Sequence, residues 1–317
     1  MEQPQAEVQE QQVSASARST EPARVSPSAA PAAGAVAPQA CATCGATHTA
    51  SGAMAAPPHS PPYVYVIGHI EPIFPLASVE KEARQVIASA GASNDTDRAA
   101  MKALLSDPNN MYLVRMMCWV LSVHGVETYI LVPRVDADYQ QLIDAYRAEP
   151  NPGDLDLVIG VRGGIAHPSV CNGLQIPVVT FDRIYFFDRK SLLDAVPKPE
   201  GADPQKFTAA AGEMFDRIMQ QADSAGATDC DRAQAYLAVK YGQIYALAAQ
   251  QFASNHSFTS ADCRVSSLSG ARKVVEVIFS FTDRTTSVLS KFFTRVDVTE
   301  RLPFLVTPLQ QYFDNNR

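Results

Sequence analysis

Two cysteines near the N-terminus have the spacing of a metal-binding pair. Cys41 and Cys44 lie three positions apart, and His48 and His59 follow them. Thiolate and imidazole are the usual ligands of tetrahedral zinc, so these four side chains could bind that metal. The two histidines are eleven positions apart in chain rich in Ala and Pro, which favours a solvated linker with two exposed thiols. We therefore expect no cofactor, with zinc at Cys41 and Cys44 as the alternative.

A second candidate for chemistry is the segment Arg162-Gly163-Gly164, which follows an apolar run. Glycines after a strand let backbone N–H groups approach an anion, and an Arg side chain can bind a carboxylate or a phosphate. The pattern is neither the GxGxxG fingerprint nor a P-loop. An ordinary turn with a surface arginine is the alternative. If this segment binds a peptide or an anion, we expect these three residues to contact it.

Two further pairs could take part in acid/base or nucleophilic chemistry. His69 and Glu71 are two positions apart in a predicted strand and so share one face, although polar residues at a sheet edge are usually solvated. His167 and Cys171 are close in sequence, but a catalytic thiolate also needs a correctly placed base and a third group. We therefore expect no catalytic residue. The alternative is an enzyme with an unrecognised site around His69, Glu71, Arg162 and His167.

The elements that must position these residues begin after an Ala/Pro-rich tail. Residues 1–62 contain 17 Ala and 9 Pro but no Phe, Trp, Tyr, Leu or Ile, so they have little large apolar surface to bury. We expect this tail to be disordered. The remaining 255 residues, 63–317, are long enough to form a substantial core.

Hydrophobic patterns divide the rest of the chain into strands and helices. Strands are predicted at 63–70, 126–132, 155–161, 177–187, 273–282 and 291–298, the last two as a hairpin. Helices are predicted from Ser78, over 107–125 and 139–146, from Asp203-Pro204 to Gly226, and over 231–253. A Pro-rich break at 196–204 separates modules at 63–198 and 203–317. The predicted fold class is α/β plus α+β: a mixed sheet with helices, then a helical pair and an antiparallel β-hairpin.

Charge and composition exclude several classes of protein. The net charge is −7 and no basic run is longer than the pair Arg272-Lys273, which argues against nucleic-acid binding. The N-terminus lacks the basic and apolar regions of a secretory signal. The most apolar stretch, 111–123, is interrupted by Arg115 and is too short to cross a bilayer. We expect a cytoplasmic protein without membrane contact, whose six cysteines are free thiols.

Several of these segments resemble a known family when taken in order. They are Tyr63-Val-Tyr-Val-Ile-Gly-His-Ile-Glu-Pro72, Ser78-Val-Glu-Lys-Glu82, Cys118-Trp-Val-Leu121, Gly125-Val-Glu-Thr-Tyr-Ile-Leu131, Asp156-Leu-Val-Ile-Gly-Val-Arg-Gly163 and Arg295-Val-Asp-Val-Thr299. Their order and spacing resemble the C-terminal region of PatG-type cyanobactin maturation proteases. In that family a PatG domain and a PatG C-terminal domain follow a subtilisin-like protease, often after a linker with closely spaced cysteines.

The resemblance implies a place in the maturation of ribosomally synthesised, post-translationally modified peptides. It assigns 63–198 to a PatG-like domain and 203–317 to a PatG C-terminal-like domain. The sequence contains neither the His-Gly-Thr nor the Gly-Thr-Ser motif that a subtilisin triad would need, so proteolysis is not transferred from the family. We expect a non-catalytic accessory protein whose partner is a precursor peptide or a separate maturation protease.

Overall fold

The computed structural model describes residues 62–91, 96–196, 198, 203–221 and 225–313. The tail predicted at 1–62 lies outside these residues except for Pro62. The suggested zinc ligands Cys41, Cys44, His48 and His59 also lie outside them.

Five strands of the first half close into a barrel in the order β1-β2-β3-β5-β4. They are β1 (Tyr63–Ile73), β2 (Cys118–Val123), β3 (Val126–Pro133), β4 (Asp154–Ile165) and β5 (Pro177–Asp188). Neighbouring strands pair antiparallel, except that β3 and β5 are parallel. The strands predicted at 63–70, 126–132, 155–161 and 177–187 are confirmed.

Four helices cover one face of these strands and supply a shared apolar core. They are α1 (Ala77–Ser89), α2 (Asp97–Ser106), α3 (Met111–Met116) and α4 (Tyr139–Ala145). Alternate strand residues such as Val66, Trp119 and Phe181 pack against helix residues such as Leu105 and Leu142. This alternation is the period-two pattern of a strand with one face in the core.

The predicted helix over 107–125 is wrong. The predicted start at Asp107-Pro108 is present in the structure. Pro108 begins a short 3-10 helix, and the Asp107 carboxylate accepts a hydrogen bond from the N–H of Asn109 at 2.9 Å. The helix α3 then ends at Met116, and β2 begins at Cys118. His124 and Gly125, both with positive φ, form a two-residue turn into β3. This turn fits the right-handed twist of a hairpin, so pairing with β3 overrides the helical pattern.

The second half packs helices on one face of a four-stranded antiparallel sheet. The helices are α5 (Arg189–Asp194), α6 (Pro204–Gln221), α7 (Asp229–Lys240) and α8 (Gln243–Ala253). The strands are β6 (His256–Val265), β7 (Val274–Asp283), β8 (Leu289–Asp297) and β9 (Phe304–Gln311), paired in that order. The predicted fold class and the predicted β7–β8 hairpin are confirmed.

The helix predicted over 231–253 is interrupted. Helix α7 ends at Lys240 and α8 begins at Gln243, and Tyr241 between them has a non-helical conformation. The Tyr241 hydroxyl lies 3.0 Å from the backbone N–H of Leu309 and accepts its hydrogen bond at the outer edge of β9. The break at Tyr241 therefore divides the predicted helix into α7 and α8, and the Tyr241 side chain binds the edge strand β9.

Helix α7 links the barrel to the second sheet. Ala235 packs against the outward-facing side chains of β1 and β4, namely Tyr65, Ile67, Leu157 and Ile159. On its other side, Leu237 belongs to the core of the second sheet. The described residues all fall within 58–317, which forms one compact unit. No helix among them is long and apolar enough to cross a membrane.

Four of the cysteines expected to be free thiols are paired. Cys118 bonds to Cys171 and Cys230 bonds to Cys263, with Cα–Cα distances of 5.5 and 5.8 Å. The partners are 53 and 33 residues apart in sequence. Sequence spacing alone cannot select such pairs, because the fold brings them together.

Candidate functional site

An open groove with a volume of about 720 Å³ lies beside the ends of four barrel strands. It is lined by residues 115–119, 130–133, 163–167 and 169–171, together with neighbouring side chains. We call it the apolar groove. Its walls therefore come from α3, from the beginnings of β2 and β5, from the ends of β3 and β4, and from the loop after β4.

The rim of the apolar groove exposes several large apolar side chains. Each is at least 40% exposed: Leu76, Met116, Val132, Ile165 and Val170. Single exposed apolar residues are common on protein surfaces, but a contiguous patch around a concavity marks an interaction site. The groove therefore has the surface chemistry of a binding site for an apolar ligand.

The main chain at the end of β4 is accessible beside this groove. The pairing of β4 with β1 ends at Val161, and the N–H of Arg162 donates to the Pro62 carbonyl at 2.8 Å. Gly163 and Gly164 follow and are exposed, and a Cβ added to Gly164 would meet no atom within 4 Å. On the opposite side, a bulge interrupts the pairing with β5. An incoming chain can therefore approach this backbone closely.

Arg162 is an exposed side chain next to this stretch of backbone. Within the described part of the chain, no carboxylate lies at ion-pair distance from its guanidinium. Its charge acts on Tyr129, where it partly offsets the rise in pKa that burial causes. The predicted group Arg162, Gly163 and Gly164 is thus contiguous and solvent-accessible, and the two glycines line the apolar groove.

His167 also lines the apolar groove, but the suggested dyad with Cys171 is wrong. The Cys171 sulfur is bonded to Cys118, so it is not available as a nucleophile. The Nδ1 atom of His167 lies 2.8 Å from the Ser169 hydroxyl and accepts from the Ser169 backbone N–H at 3.2 Å. These bonds form a local turn in the loop.

His69 and Glu71 lie elsewhere. The Glu71 carboxylate makes two hydrogen bonds with the Arg98 guanidinium, at 2.6 and 3.0 Å, and this guanidinium stacks on the Tyr146 ring. Glu71 lines a second groove, of about 760 Å³, between α1 and α2. His69 is exposed and faces Ser122 across the β1–β2 pairing.

The four residues of the suggested enzyme site are not brought together. Arg162 adjoins the first residue of β1, whereas Glu71 lies eight residues further along that strand. At about 3.3 Å per residue this places them roughly 25 Å apart. In the described ranges, no group of three or more His, Cys, Asp or Glu side chains is arranged to hold a metal.

A buried ion pair near His69 was not expected from sequence. Asp156 is almost fully buried, its Oδ2 accepts from the Ile70 N–H at 3.0 Å, and its Oδ1 lies 3.0 Å from an Arg147 nitrogen. Burial raises the pKa of Asp156, and the Arg147 charge opposes that rise. Asp154 lies in the same cluster and accepts from the Asn151 N–H at 2.7 Å. These partners give the two carboxylates structural roles.

Comparison with known proteins agrees with this description of the fold. Residues 201–312 match the family model described as PatG C-terminal. The resemblance to the PatG C-terminal region is confirmed. The structure is also similar to a solved structure titled "PatG Domain of Unknown Function", with a TM-score of 0.60 and 20% sequence identity. The match covers 79% of this chain and 98% of the other chain. No curated protein matches the sequence.

Proposed function

We propose that this protein binds a peptide without transforming it, as an accessory protein in the maturation of ribosomally synthesised, post-translationally modified peptides. The PatG C-terminal match and the similarity to a PatG domain of unknown function support a cyanobactin-like pathway. The proposed location is the cytoplasm, where such precursor peptides are made. The proposed ligand is an extended, apolar segment of the precursor.

The accessible backbone at the end of β4, next to the apolar groove, is the observation that carries this proposal. An extended peptide can add to an exposed strand through main-chain hydrogen bonds, while its alternate side chains enter neighbouring pockets. Gly163 and Gly164 allow close approach because they carry no side chain. Exposed Ile165 and Val170 would cover the apolar side chains of the ligand.

Arg162 provides the proposed charge recognition. Its guanidinium has no carboxylate partner among the residues that the structure describes, so it can pair with an acidic residue of the ligand. Because the pair would remain in contact with solvent, its contribution to affinity is small, about 0–1 kcal/mol. The apolar groove would supply most of the binding free energy, and Arg162 would set the position of the peptide along β4.

The test is fluorescence anisotropy with labelled synthetic precursor peptides that contain an apolar segment, measured with wild type and Ile165→Asp. Placing a charge in the apolar groove should weaken binding about tenfold or more, because the carboxylate loses water without gaining a partner. Val265→Asp is the matched control: Val265 is 78% exposed on β6 and lies outside the groove. We expect it to bind like wild type.

Two results would contradict this proposal. One is the absence of binding by folded wild-type protein to any precursor peptide. The other is equal weakening by Ile165→Asp and Val265→Asp, which would mean that binding does not use the apolar groove. Binding to a separate maturation protease but to no peptide would favour the partner-recruiting role instead.

A further inference from the structure

One disulfide is built into the apolar groove. Cys118 is the first residue of β2, Cys171 lies in the loop between β4 and β5, and both line the groove. The same loop contributes His167, Ser169 and Val170 to the groove wall. The disulfide therefore fastens this wall to the barrel sheet.

The fastened loop has few other attachments to the sheet. Ala166 and Cys171 are buried against Val120 and Ile130, and Leu174 packs beside them. Most of the loop is otherwise exposed to solvent. Its remaining hydrogen bonds are largely turns within the loop, with one strand-like bond from the Ala166 N–H to the Ile176 carbonyl at 2.9 Å. Without the disulfide, this small apolar contact would be the main attachment of the groove wall to the sheet.

The backbone beside Cys171 is strained. Cys171, Asn172 and Gly173 have φ values of 51°, 55° and 85°, three consecutive residues in the left-handed region. Glycine adopts this region without a steric penalty and asparagine tolerates it, so the conformational strain lies mainly at Cys171. The cross-link and the buried contacts hold this conformation, and opening the cross-link favours a rearranged loop.

We propose that the Cys118–Cys171 disulfide is a redox-sensitive latch on the apolar groove, which holds the groove in its peptide-binding shape when oxidised. This inference rests on the proposed function, since it describes the regulation of the same site. The reductant is a protein or small-molecule dithiol. Its thiolate attacks one sulfur, breaks the S–S bond and forms a mixed disulfide; its second thiolate then releases the cysteine. Cys118 and Cys171 become thiols, and the dithiol becomes a disulfide.

The redox state of the latch changes the cost of ordering the groove wall. The oxidised latch pre-organises the groove wall, so the peptide does not have to order it on binding. Reduction releases the loop, and the ordering cost then weakens peptide affinity.

The second disulfide provides a matched control. Cys230 lies in the first turn of α7 and Cys263 lies in β6, so this cross-link joins two regular elements in the other half of the structure. Neither residue lines the apolar groove. The double variant Cys230→Ser/Cys263→Ser keeps the latch as its only described disulfide. The double variant Cys118→Ser/Cys171→Ser removes the latch and keeps the control bond.

The first measurement follows the loop without any peptide. Hydrogen exchange of residues 166–176 is compared before and after dithiothreitol in the Cys230→Ser/Cys263→Ser protein, with circular dichroism to verify folding. We expect exchange in this loop to become at least about tenfold faster on reduction, with little change in β1 and β4. Unchanged exchange in a protein whose disulfide is reduced, as shown by thiol labelling, would overturn the latch. This measurement does not use the Cys118→Ser/Cys171→Ser variant, so it still tests the latch if that variant fails to fold.

The second measurement repeats the peptide anisotropy assay in both redox states. We expect reduction to weaken binding about tenfold in wild type and in the Cys230→Ser/Cys263→Ser protein. The folded Cys118→Ser/Cys171→Ser protein should bind weakly and not respond to dithiothreitol. Equal affinity in both states would overturn the latch while the proposed function stands. Absence of peptide binding in either state would instead overturn the proposed function, and the exchange measurement would still decide whether the loop is released.

Discussion

The buried carboxylates in the described part of the chain each lie beside an arginine. Asp156 pairs with Arg147 in the barrel, and Asp297 at the end of β8 pairs with the Arg272 Nε. The N–H of Thr299 also donates to the Asp297 Oδ1 at 2.8 Å. A buried carboxylate without such donors would carry a large desolvation cost. These acids therefore hold strand ends in place.

Asp297→Asn tests this role through its pH dependence. Burial raises the pKa of Asp297, but hydrogen bonds from Thr299 and Arg272 outweigh it and lower the pKa overall. With a folded pKa below the unfolded one, the stabilisation is complete above the unfolded pKa, about 3.9. It is lost as pH falls through the folded pKa. We expect Asp297→Asn to destabilise by about 1–3 kcal/mol at pH 7 in urea unfolding.

The difference from wild type should shrink as the pH is lowered below about 4. Asp194→Asn is the control, because Asp194 is an exposed carboxylate in an i,i+4 pair with Lys190. It should leave the unfolding midpoint unchanged at pH 7. A pH-independent penalty for Asp297→Asn would rule out the charge-based explanation.

Two glycines of β4 differ in the space that is available for a side chain. A Cβ on Gly160 would lie 2.5 Å from the Thr180 carbonyl oxygen and 2.8 Å from the Phe181 Cα, both on the neighbouring β5. A Cβ on Gly164 would meet no atom within 4 Å. A side chain at position 160 would therefore collide with the backbone of β5, whereas the space around Gly164, beside the groove, could hold one.

The substitutions Gly160→Ala and Gly164→Ala, made separately, test this difference within one strand. Gly160→Ala should destabilise by roughly 1–3 kcal/mol or more, since backbone must move to admit the methyl group. Gly164→Ala should change the free energy of unfolding by less than about 0.5 kcal/mol. Chemical denaturation measures both, and equal effects of the two substitutions would contradict the described packing of β4 on β5.

Sequence patterns identify the elements whose apolar residues form one clear run. They miss the elements whose conformation depends on pairing with another strand. The apolar runs of β1 and β4 were predicted because their side chains are buried over several consecutive residues. The apolar residues from Cys118 to Val123 fit both the helical and the strand period, so their pattern alone predicts a helix, and only pairing with β3 makes them a strand. The strands β6 and β9 were also not predicted, since they lie at sheet edges and are half exposed.

The candidate site was predictable in part for the same reason. Arg162, Gly163 and Gly164 stand out as a local motif, so they were identified without the structure. The apolar groove cannot be identified in this way, because Met116 of α3, Val132 of β3 and Ile165 of β4 meet only after these elements assemble. The Cys118–Cys171 pair likewise depends on contact between residues distant in sequence.

Helix α7 packs against both halves of the structure, so we expect the stability of each half to depend on the other. Leu157 of β4 is completely buried where the barrel meets α7. Leu157→Ala should therefore cost about 2–5 kcal/mol. The barrel contains the single tryptophan, Trp119, which reports on that half through fluorescence, whereas the far-ultraviolet circular dichroism includes the helices of both halves.

We expect both signals to show one coincident thermal transition, lowered in temperature by Leu157→Ala. Leu76→Ala, at a residue that is 62% exposed, is the control and should leave the transition nearly unchanged. Two separated transitions would instead support independent modules at 63–198 and 203–317.

The central position of β1 has a consequence for synthesis. This strand pairs with β2 on one side and with β4 on the other, and its first residue, Tyr63, faces Val161. Ribosomes add about 5–20 residues per second, so the nearly 100 residues between these partners require roughly 5–20 s. During that interval the apolar N-terminal end of β1 has no β4 to cover it. A nascent chain of this protein should therefore expose an unpaired, aggregation-prone apolar strand. Chaperone binding should be strongest before β4 leaves the ribosome.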